Sequence, residues 1–143
     1  MSRLSTVQAP DVQMRDMADR MKDHTTTPEL FAGTALLHTD WFPTNVLITG
    51  GRAFVVDWAW ASRGATWIDP ALWVVWLINH GHTPAEAETW AARVPSWHTA
   101  PPAAVDAFAA ATESVWEDIT DGDAEPWMLD MLTAARRWET HRG

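Results

Sequence analysis

HTDWFPTNVLITGGRAFVVD, residues His38 to Asp57, carries the clearest local structural signal in the sequence. It contains two apolar, β-rich segments, Asn45 to Ile48 and Ala53 to Asp57, which flank a Gly-Gly pair. Apolar segments on both sides of such a pair predict a β-hairpin. Because a hairpin brings its open ends together, we expect Asn45 and Asp57 to lie side by side.

The polar residues of this stretch have the chemistry of a site for a hard metal ion. Asp40 lies on the loop that leads into the hairpin, close to where Asn45 and Asp57 are expected to meet. Mg²⁺ prefers oxygen ligands and commonly takes one or two carboxylates together with substrate phosphates. The stretch therefore predicts phosphate-transfer chemistry. The alternative is a turn beside Pro43 that Asp40 and Asn45 stabilise with their own side chains.

Apolar periodicity predicts helices on both sides of this stretch. An irregular apolar stripe between Pro10 and Asp23 predicts a first helix. Thr27, as the N-cap before Pro28, predicts a short helix that runs through Phe31. The segment Trp67–Asn79 is apolar on nearly all sides, which is typical of a helix buried in the middle of a domain.

Capping residues and prolines predict that the second half of the chain is all helical. Thr83, Pro84 and Glu86 form a capping-box pattern that begins a helix through about Val94. Two further helices are predicted over residues 103–119 and 125–142. The expected fold class is therefore α+β and mainly helical.

Composition limits the range of functions. The chain has 143 residues, 47% of them hydrophobic, and predicts one globular domain. Its net charge of −9 argues against nucleic acid as a partner, since binding nucleic acid requires Lys and Arg to neutralise phosphates. The absence of cysteine excludes disulfides and thiolate catalysis. The longest apolar segment, Ala71–Ile78, is too short to span a membrane and no signal peptide is recognisable, so we expect a cytoplasmic protein.

Three other features admit a functional interpretation and a simpler one. His80, His82 and His98 suggest a metal site, but exposed turn residues explain them better. An acidic group around Gly122 resembles a calcium loop, although a solvated loop between helices fits its spacing better. The eleven tryptophans either pack in the core or, for some of them, form a stacking wall for a ring or a sugar.

The motif of the stretch from His38 to Asp57 resembles that of the aminoglycoside phosphotransferase and choline kinase-like family. The family signature is a His-x-Asp-x-x-x-x-Asn loop, a hairpin, and an Asp followed by an aromatic residue. The chain matches it with His38, Asp40, Pro43, Asn45 and the pair Asp57-Trp58. The resemblance continues from Gly64 to Asp69-Pro70-Ala71 and is clear over residues 30–80, whereas the helical remainder, 81–143, carries no diagnostic motif.

The resemblance implies a fold and a set of residue roles. Residues 1–143 would form one domain like the kinase-like C-terminal lobe, with one small β-hairpin carrying the catalytic loop. Asp40 would be the catalytic base, and Asn45 and Asp57 would hold Mg²⁺ against the phosphates of ATP or GTP. His38 would brace the loop and Asp69 would accept hydrogen bonds from its backbone.

The resemblance also implies partners and an alternative function. The acceptor would be a small polar molecule, such as a cationic amino sugar, that binds among the later helices. The nucleotide-binding N-terminal lobe is expected to be absent, because residues 1–37 contain one glycine and one lysine and no phosphate-gripping motif. We therefore expect a homodimer or a separate N-lobe chain as partner. The alternative is a truncated, non-catalytic lobe that binds a small molecule or a protein.

Overall fold

Helices form most of the architecture in the computed structural model, which describes residues 14–143. The helices are α1 (Met17–Met21), α2 (Ile68–Asn79), α3 (Pro84–Ala91), α4 (Pro102–Thr120) and α5 (Pro126–Arg142). The strands are β1 (Arg15–Asp16), β2 (Ala35–Leu37), β3 (Val46–Thr49), β4 (Arg52–Val55) and β5 (Ser62–Gly64). Short 3₁₀ helices cover Pro28–Phe31, Pro43–Asn45 and Pro95–Thr99. The predicted mixed α+β class is confirmed. Within the described residues, no helix is both long and apolar enough to cross a membrane.

The predicted hairpin is confirmed and its register is regular. Strands β3 and β4 pair antiparallel, with Val46 opposite Val55 at the open end. The turn uses Gly50 and Gly51, both with positive φ, which glycine adopts without steric cost. Beyond the strands, the Val56 N–H donates to the Asn45 carbonyl over 2.9 Å. The pairing therefore extends to Asn45 and ends one residue before Asp57.

A second small sheet corrects the expected bounds of the first helix. Strand β5 lies between β1, which runs parallel to it, and β2, which runs antiparallel. The predicted helix over 10–23 is therefore wrong in its bounds: Arg15–Asp16 is a strand, the helix is Met17–Met21, and residues 10–13 lie outside the described part. The reason is tertiary. Strand β1 pairs with a segment far along the chain, and an ion pair of 3.2 Å between Asp16 and Arg63 reinforces that pairing.

The helices of the second half agree closely with their predictions. The capping box before α3 is confirmed, because Thr83 Oγ1 accepts from the Glu86 N–H and Glu86 Oε2 accepts from the Thr83 N–H. Helix α3 ends at Ala91, earlier than expected.

The predicted capping by Thr27 is wrong, because its side chain makes no cap hydrogen bond.

The core is built around aromatic rings that contact one another edge to face. Phe108 of α4 lies 5.2 Å from Phe31 and 5.4 Å from Trp67, measured between ring centroids. Trp138 of α5 is 6.4 Å from Phe108 on another side. Such pairs stabilise a core beyond the area they bury. Helix α2 begins directly after Trp67, so the same cluster fixes the position of Asp69 in its first turn.

Gly33 is expected to tolerate no side chain. A Cβ at Gly33 would collide with the Gly64 carbonyl oxygen and lie 2.6 Å from the Ala65 nitrogen, and both are backbone atoms that cannot rotate away. We expect Gly33→Ala to lower the free energy of unfolding by about 1–3 kcal/mol, the cost of overpacking. Urea unfolding measures this change. The matched control is Gly122→Ala, where a Cβ meets open space and only the positive φ opposes it. Equal stability of Gly33→Ala and the wild type would contradict the close packing of β5 on this segment.

Candidate functional site

Asp69, at the start of α2, anchors the loop that begins at His38. Its Oδ2 accepts from the His38 N–H over 2.9 Å, and its Oδ1 accepts from the Thr39 N–H over 3.0 Å. The indole N–H of Trp41 also donates to Oδ1, again over 3.0 Å. The carboxyl group is buried, and burial raises the pKa of Asp69, which the three donors only partly offset. The buried Asp69 side chain therefore fixes the loop at three residues, His38, Thr39 and Trp41.

His38 joins this loop to the end of the hairpin. Its Nδ1 accepts from the Asp40 N–H over 3.3 Å, and its Nε2 lies 2.8 Å from the Val56 carbonyl oxygen. These partners fix the tautomer, since a nitrogen that accepts from an N–H carries no proton and the other must donate. The ring is fully buried. His38 thus ties Asp40 to the chain immediately before Asp57 and is not exposed to a ligand.

Two residues of the site have strained backbones. Thr39 has φ of 65° and Asp57 has φ of 57°, in the left-handed region. For a β-branched threonine this conformation is a clear outlier. Strain of this kind persists only where the surroundings over-determine it, and it clusters at functional sites. Thr39 is held at its N–H by Asp69, and its Oγ1 bonds Arg20 and the Trp60 carbonyl.

The sequence predicts that Asn45 and Asp57 converge while Asp40 stays nearby, and hydrogen bonds connect the segments that carry these residues. Asn45 Nδ2 donates to the Asp40 carbonyl oxygen over 3.1 Å. Asp57 follows Val56, the residue that pairs with Asn45. Oδ1 of Asp57 accepts from the Ala59 N–H over 3.3 Å, which orients its carboxylate. Loop, hairpin base and the following turn are therefore joined by hydrogen bonds.

A cleft of about 410 Å³ opens beside Asp40. Its lining combines Thr39, Asp40, Trp60 and residues of α1 with side chains from α2, α4 and α5. A smaller cavity of about 140 Å³ continues from it toward Trp41 and Phe42. Asp40 lines both. This volume is in the range of small-molecule sites, so a molecule of modest size fits against the Asp40 side chain.

Sequence reasoning missed Arg20, which also lines this cleft. Its Nη1 donates to Thr39 Oγ1 and Ser62 Oγ, each over 2.8 Å, and to the Trp60 carbonyl over 3.2 Å. Burial lowers the pKa of Arg20 and Arg15 lowers it further, whereas Asp40 raises it. A guanidinium still stays protonated at neutral pH. The sequence gives no signal for this arginine, because its partners lie far away along the chain.

The tryptophans lie in two kinds of environment. Trp67 and Trp138 are buried in the core. Trp60, Trp116 and Trp127 line the cleft instead. The cleft therefore has indole walls next to Asp40.

The other metal candidates of the sequence make local contacts. His80 Nδ1 lies 2.8 Å from the Trp76 carbonyl oxygen, and His98 Nε2 lies 2.8 Å from that of Ala92. Among residues 14–143, no group of three or more His, Cys, Asp or Glu side chains is placed to hold a metal ion. At the hairpin base, Asn45 and Asp57 carry the side-chain oxygens that could bind a cation. Comparisons of this chain with protein-family models, with curated proteins and with solved structures find no match.

Proposed function

We propose that this protein is a magnesium- and nucleotide-dependent phosphotransferase that acts on a hydroxyl group of a small molecule. The observation that carries the proposal is the junction of loop and hairpin. There the Asn45 side chain donates a hydrogen bond to the Asp40 carbonyl oxygen. Asp57 directly follows Val56, whose N–H donates to the Asn45 carbonyl. Catalysis of phosphoryl transfer is mostly positioning and electrostatic stabilisation, so a rigid constellation of this type suits the reaction.

Asp40 would act as the base. The acceptor hydroxyl would lie in the cleft with its oxygen facing the γ-phosphorus of ATP or GTP. As the new oxygen–phosphorus bond forms, the bond from the γ-phosphorus to its bridging oxygen breaks, and the nucleoside diphosphate leaves with the bonding electron pair. The hydroxyl proton passes to the Asp40 carboxylate. Asp40 is half-buried in the wall of the cleft, so its carboxylate is placed to contact an acceptor hydroxyl there and to receive its proton.

Asn45 and Asp57 have a donor set that fits Mg²⁺. The side-chain N–H of Asn45 donates to the Asp40 carbonyl oxygen, so the side-chain oxygen of Asn45 is the atom available to a cation. Asp57 uses Oδ1 for the Ala59 N–H, and its Oδ2 remains as a second oxygen ligand. Mg²⁺ usually takes one or two carboxylates and completes its shell with water and phosphate oxygens. When bound, it would offset the negative charge of the nucleotide phosphates.

His38 and Asp69 would act by holding these groups in place. Asp69 fixes the backbone at His38 and Thr39, and His38 links Asp40 to Val56. A catalytic group that is displaced by about 1 Å loses on the order of a hundredfold in rate, so such support is part of the proposed catalysis.

A non-catalytic binding module is the second candidate, and the surface of the hairpin favours it. Leu47 and Phe54 face each other across the strands and are 50% and 49% exposed, and Ile48 is 78% exposed. Exposed apolar groups that adjoin one another are typical of association surfaces. On this reading the hairpin would contact a partner chain, and the polar residues at its base would bind no nucleotide.

Nucleotide titration of Asp57→Ala distinguishes the two candidates. We expect the wild type to bind Mg·ATP or Mg·GTP, and to bind neither when magnesium is removed by chelation. The Asp57→Ala variant should bind at least about tenfold more weakly, because it loses a charged ligand of the metal. Calorimetric titration measures both affinities. The control is Asp123→Ala, an exposed carboxylate in the loop between α4 and α5. Equal nucleotide affinity of Asp57→Ala and the wild type, or no binding by either, would contradict the proposed function and support the binding module.

A further inference from the structure

The cleft beside Asp40 has an unusual balance of charge and apolar surface. Of the described residues that line it, two are charged, Arg20 and Asp40. Most of the remaining lining is apolar or aromatic: Met17, Met21, Trp60, Leu72, Val115, Trp116, Ile119 and Trp127. A ligand that fills the cleft therefore meets one cation, one anion and a mostly apolar wall.

Arg20 is set to receive an acceptor group from a ligand. Among the described residues, its hydrogen bonds all come from Nη1, and none of the ion pairs involves it. A guanidinium has five N–H donors in a planar fork, so the Nε and Nη2 edge has no protein acceptor within residues 14–143. Among the described residues, the Asp40 carboxylate acts on this half-buried cation without forming an ion pair with it, and an anion from a ligand would add a charge-assisted hydrogen bond.

A second arginine strengthens the positive charge at the mouth of the cleft. Arg15 lies 5.3 Å and Arg20 lies 5.8 Å from the ring centroid of Trp60, within the range of cation–π contacts. The nearby carboxylate of Asp16 is paired with Arg63. Two arginines therefore lie within reach of the Trp60 ring, and Asp19 lines the same surface depression as both of them.

We infer that the acceptor of this enzyme is a hydroxylated molecule with a flat apolar body and an anionic group, which Arg20 binds while Asp40 faces the hydroxyl. The inference rests on the proposed phosphotransferase function. It names the substrate class by three features of one cleft: the base, the guanidinium and the indole wall. The carboxylate or comparable anion would bond the Nε and Nη2 edge, the geometry in which arginine recognises carboxylates.

The charges of the cleft oppose the cationic amino sugar that the family resemblance implies, and the net charge of the chain does not change this. The −9 of the chain is spread over its whole surface, and exposed charges more than about 10 Å away are largely screened by salt. Inside the cleft a cation would meet the Arg20 guanidinium as well as the Asp40 carboxylate. An amino sugar would also set many polar groups against the apolar wall, where they find no hydrogen-bond partner.

A charge series on one hydroxyaryl body tests the inference on the wild type. The probes are 3-(4-hydroxyphenyl)propanoate, its neutral amide and the cation tyramine, with kanamycin as the amino-sugar comparison. Affinities are measured by titration followed through the indole N–H signals of the protein in ¹H–¹⁵N spectra. We expect the propanoate to bind about tenfold more tightly than tyramine, with the amide between them, because one charge-assisted bond is gained. Shifts should concentrate at Trp60, Trp116 and Trp127.

Variants at Arg20 assign the preference to this side chain. Arg20→Gln should lower the affinity for the propanoate about tenfold while changing that for the amide less than about twofold. Arg20→Lys retains the charge without the fork and should lose about threefold, and it serves where the glutamine variant folds poorly. Arg93→Gln is the control, since Arg93 stacks 3.9 Å from the ring centroid of Trp90 and does not line the cleft.

Two outcomes would overturn the inference: tyramine or kanamycin binding at least as tightly as the propanoate, or Arg20→Gln leaving the order of the three probes unchanged. Absence of binding by all three probes counts in the same way. These results differ from a failure of the proposed function. The probe titrations contain no nucleotide, so ordered binding supports the cleft assignment even where the Asp57→Ala titration finds no nucleotide site. Phosphorylation of kanamycin without binding of the propanoate would support the proposed phosphotransferase function and overturn the inference of an anionic acceptor.

Discussion

Asp40→Asn is expected to lower the rate of phosphoryl transfer about 10²- to 10⁴-fold, the usual contribution of a positioned general base. Asparagine has nearly the same shape as aspartate but cannot accept the hydroxyl proton. The backbone of Asp40 makes the structural contacts, since its N–H donates to His38 and its carbonyl accepts from Asn45. The substitution leaves both intact. The free energy of unfolding should therefore change by less than about 0.5 kcal/mol.

The measurement is the initial rate of transfer of labelled γ-phosphate from ATP to hydroxylated acceptors, with 3-(4-hydroxyphenyl)propanoate and kanamycin in the panel. Nucleotide affinity and urea unfolding are measured on the same samples. Asp106→Asn is the matched control, because Asp106 lies on α4 and pairs with Arg142 at 3.4 Å. A rate within threefold of the wild type for Asp40→Asn would remove Asp40 from the role of base.

Asp69→Asn is expected to destabilise the protein by about 2–3 kcal/mol, since a hydrogen bond to a charged group is lost and a buried donor is left unpaired. Asn offers one oxygen and one N–H₂ group in place of two oxygens. In either orientation of the amide, its N–H₂ group faces an N–H donor of the loop. That donor is the His38 N–H in one orientation and the donors of Thr39 and Trp41 in the other. The loop should then shift, and nucleotide-dependent activity should fall with stability.

The effect of Asp69→Asn should also depend on pH, with a sign set by the raised pKa of Asp69. Burial keeps this carboxyl protonated in the folded state up to a higher pH than in the unfolded chain. Between the ordinary carboxyl pKa of about 4 and the raised value, the folded state binds more protons, so the stabilisation falls as pH rises through this window. The asparagine variant has no such titration. The wild-type advantage should therefore be larger at acid pH than at neutral pH.

Urea unfolding of both proteins across this pH range tests the prediction, because other titrating groups cancel in the difference. Asp106→Asn again serves as control, and loss of its exposed ion pair should cost less than about 1 kcal/mol. An Asp69→Asn variant as stable as the wild type at every pH would contradict the anchoring of the loop by this carboxylate. A difference that grows as pH rises would show that hydrogen bonding outweighs burial in setting the Asp69 pKa.

Features that depend on neighbours along the chain were predictable from the sequence alone. The hairpin follows from two apolar strands around Gly50 and Gly51, and its closure puts Asn45 next to the residue before Asp57. The capping box of α3 depends on residues three positions apart, Thr83 and Glu86. Such signals are local, because turn geometry and helix capping are completed within a few residues.

Features whose partners lie far apart in the chain could be identified only in the folded structure. Periodicity predicted a helix across Arg15 and Asp16, but pairing with β5 overrode that local tendency. The cleft brings Arg20 of α1 to Asp40 and to the indole walls of α4 and α5. Nothing within a few residues of Arg20 specifies that meeting. This contact depends on how the helices pack around Phe108 and the aromatic rings beside it. Because the whole core determines that packing, the charged groups that face the cleft could be identified only in the folded chain.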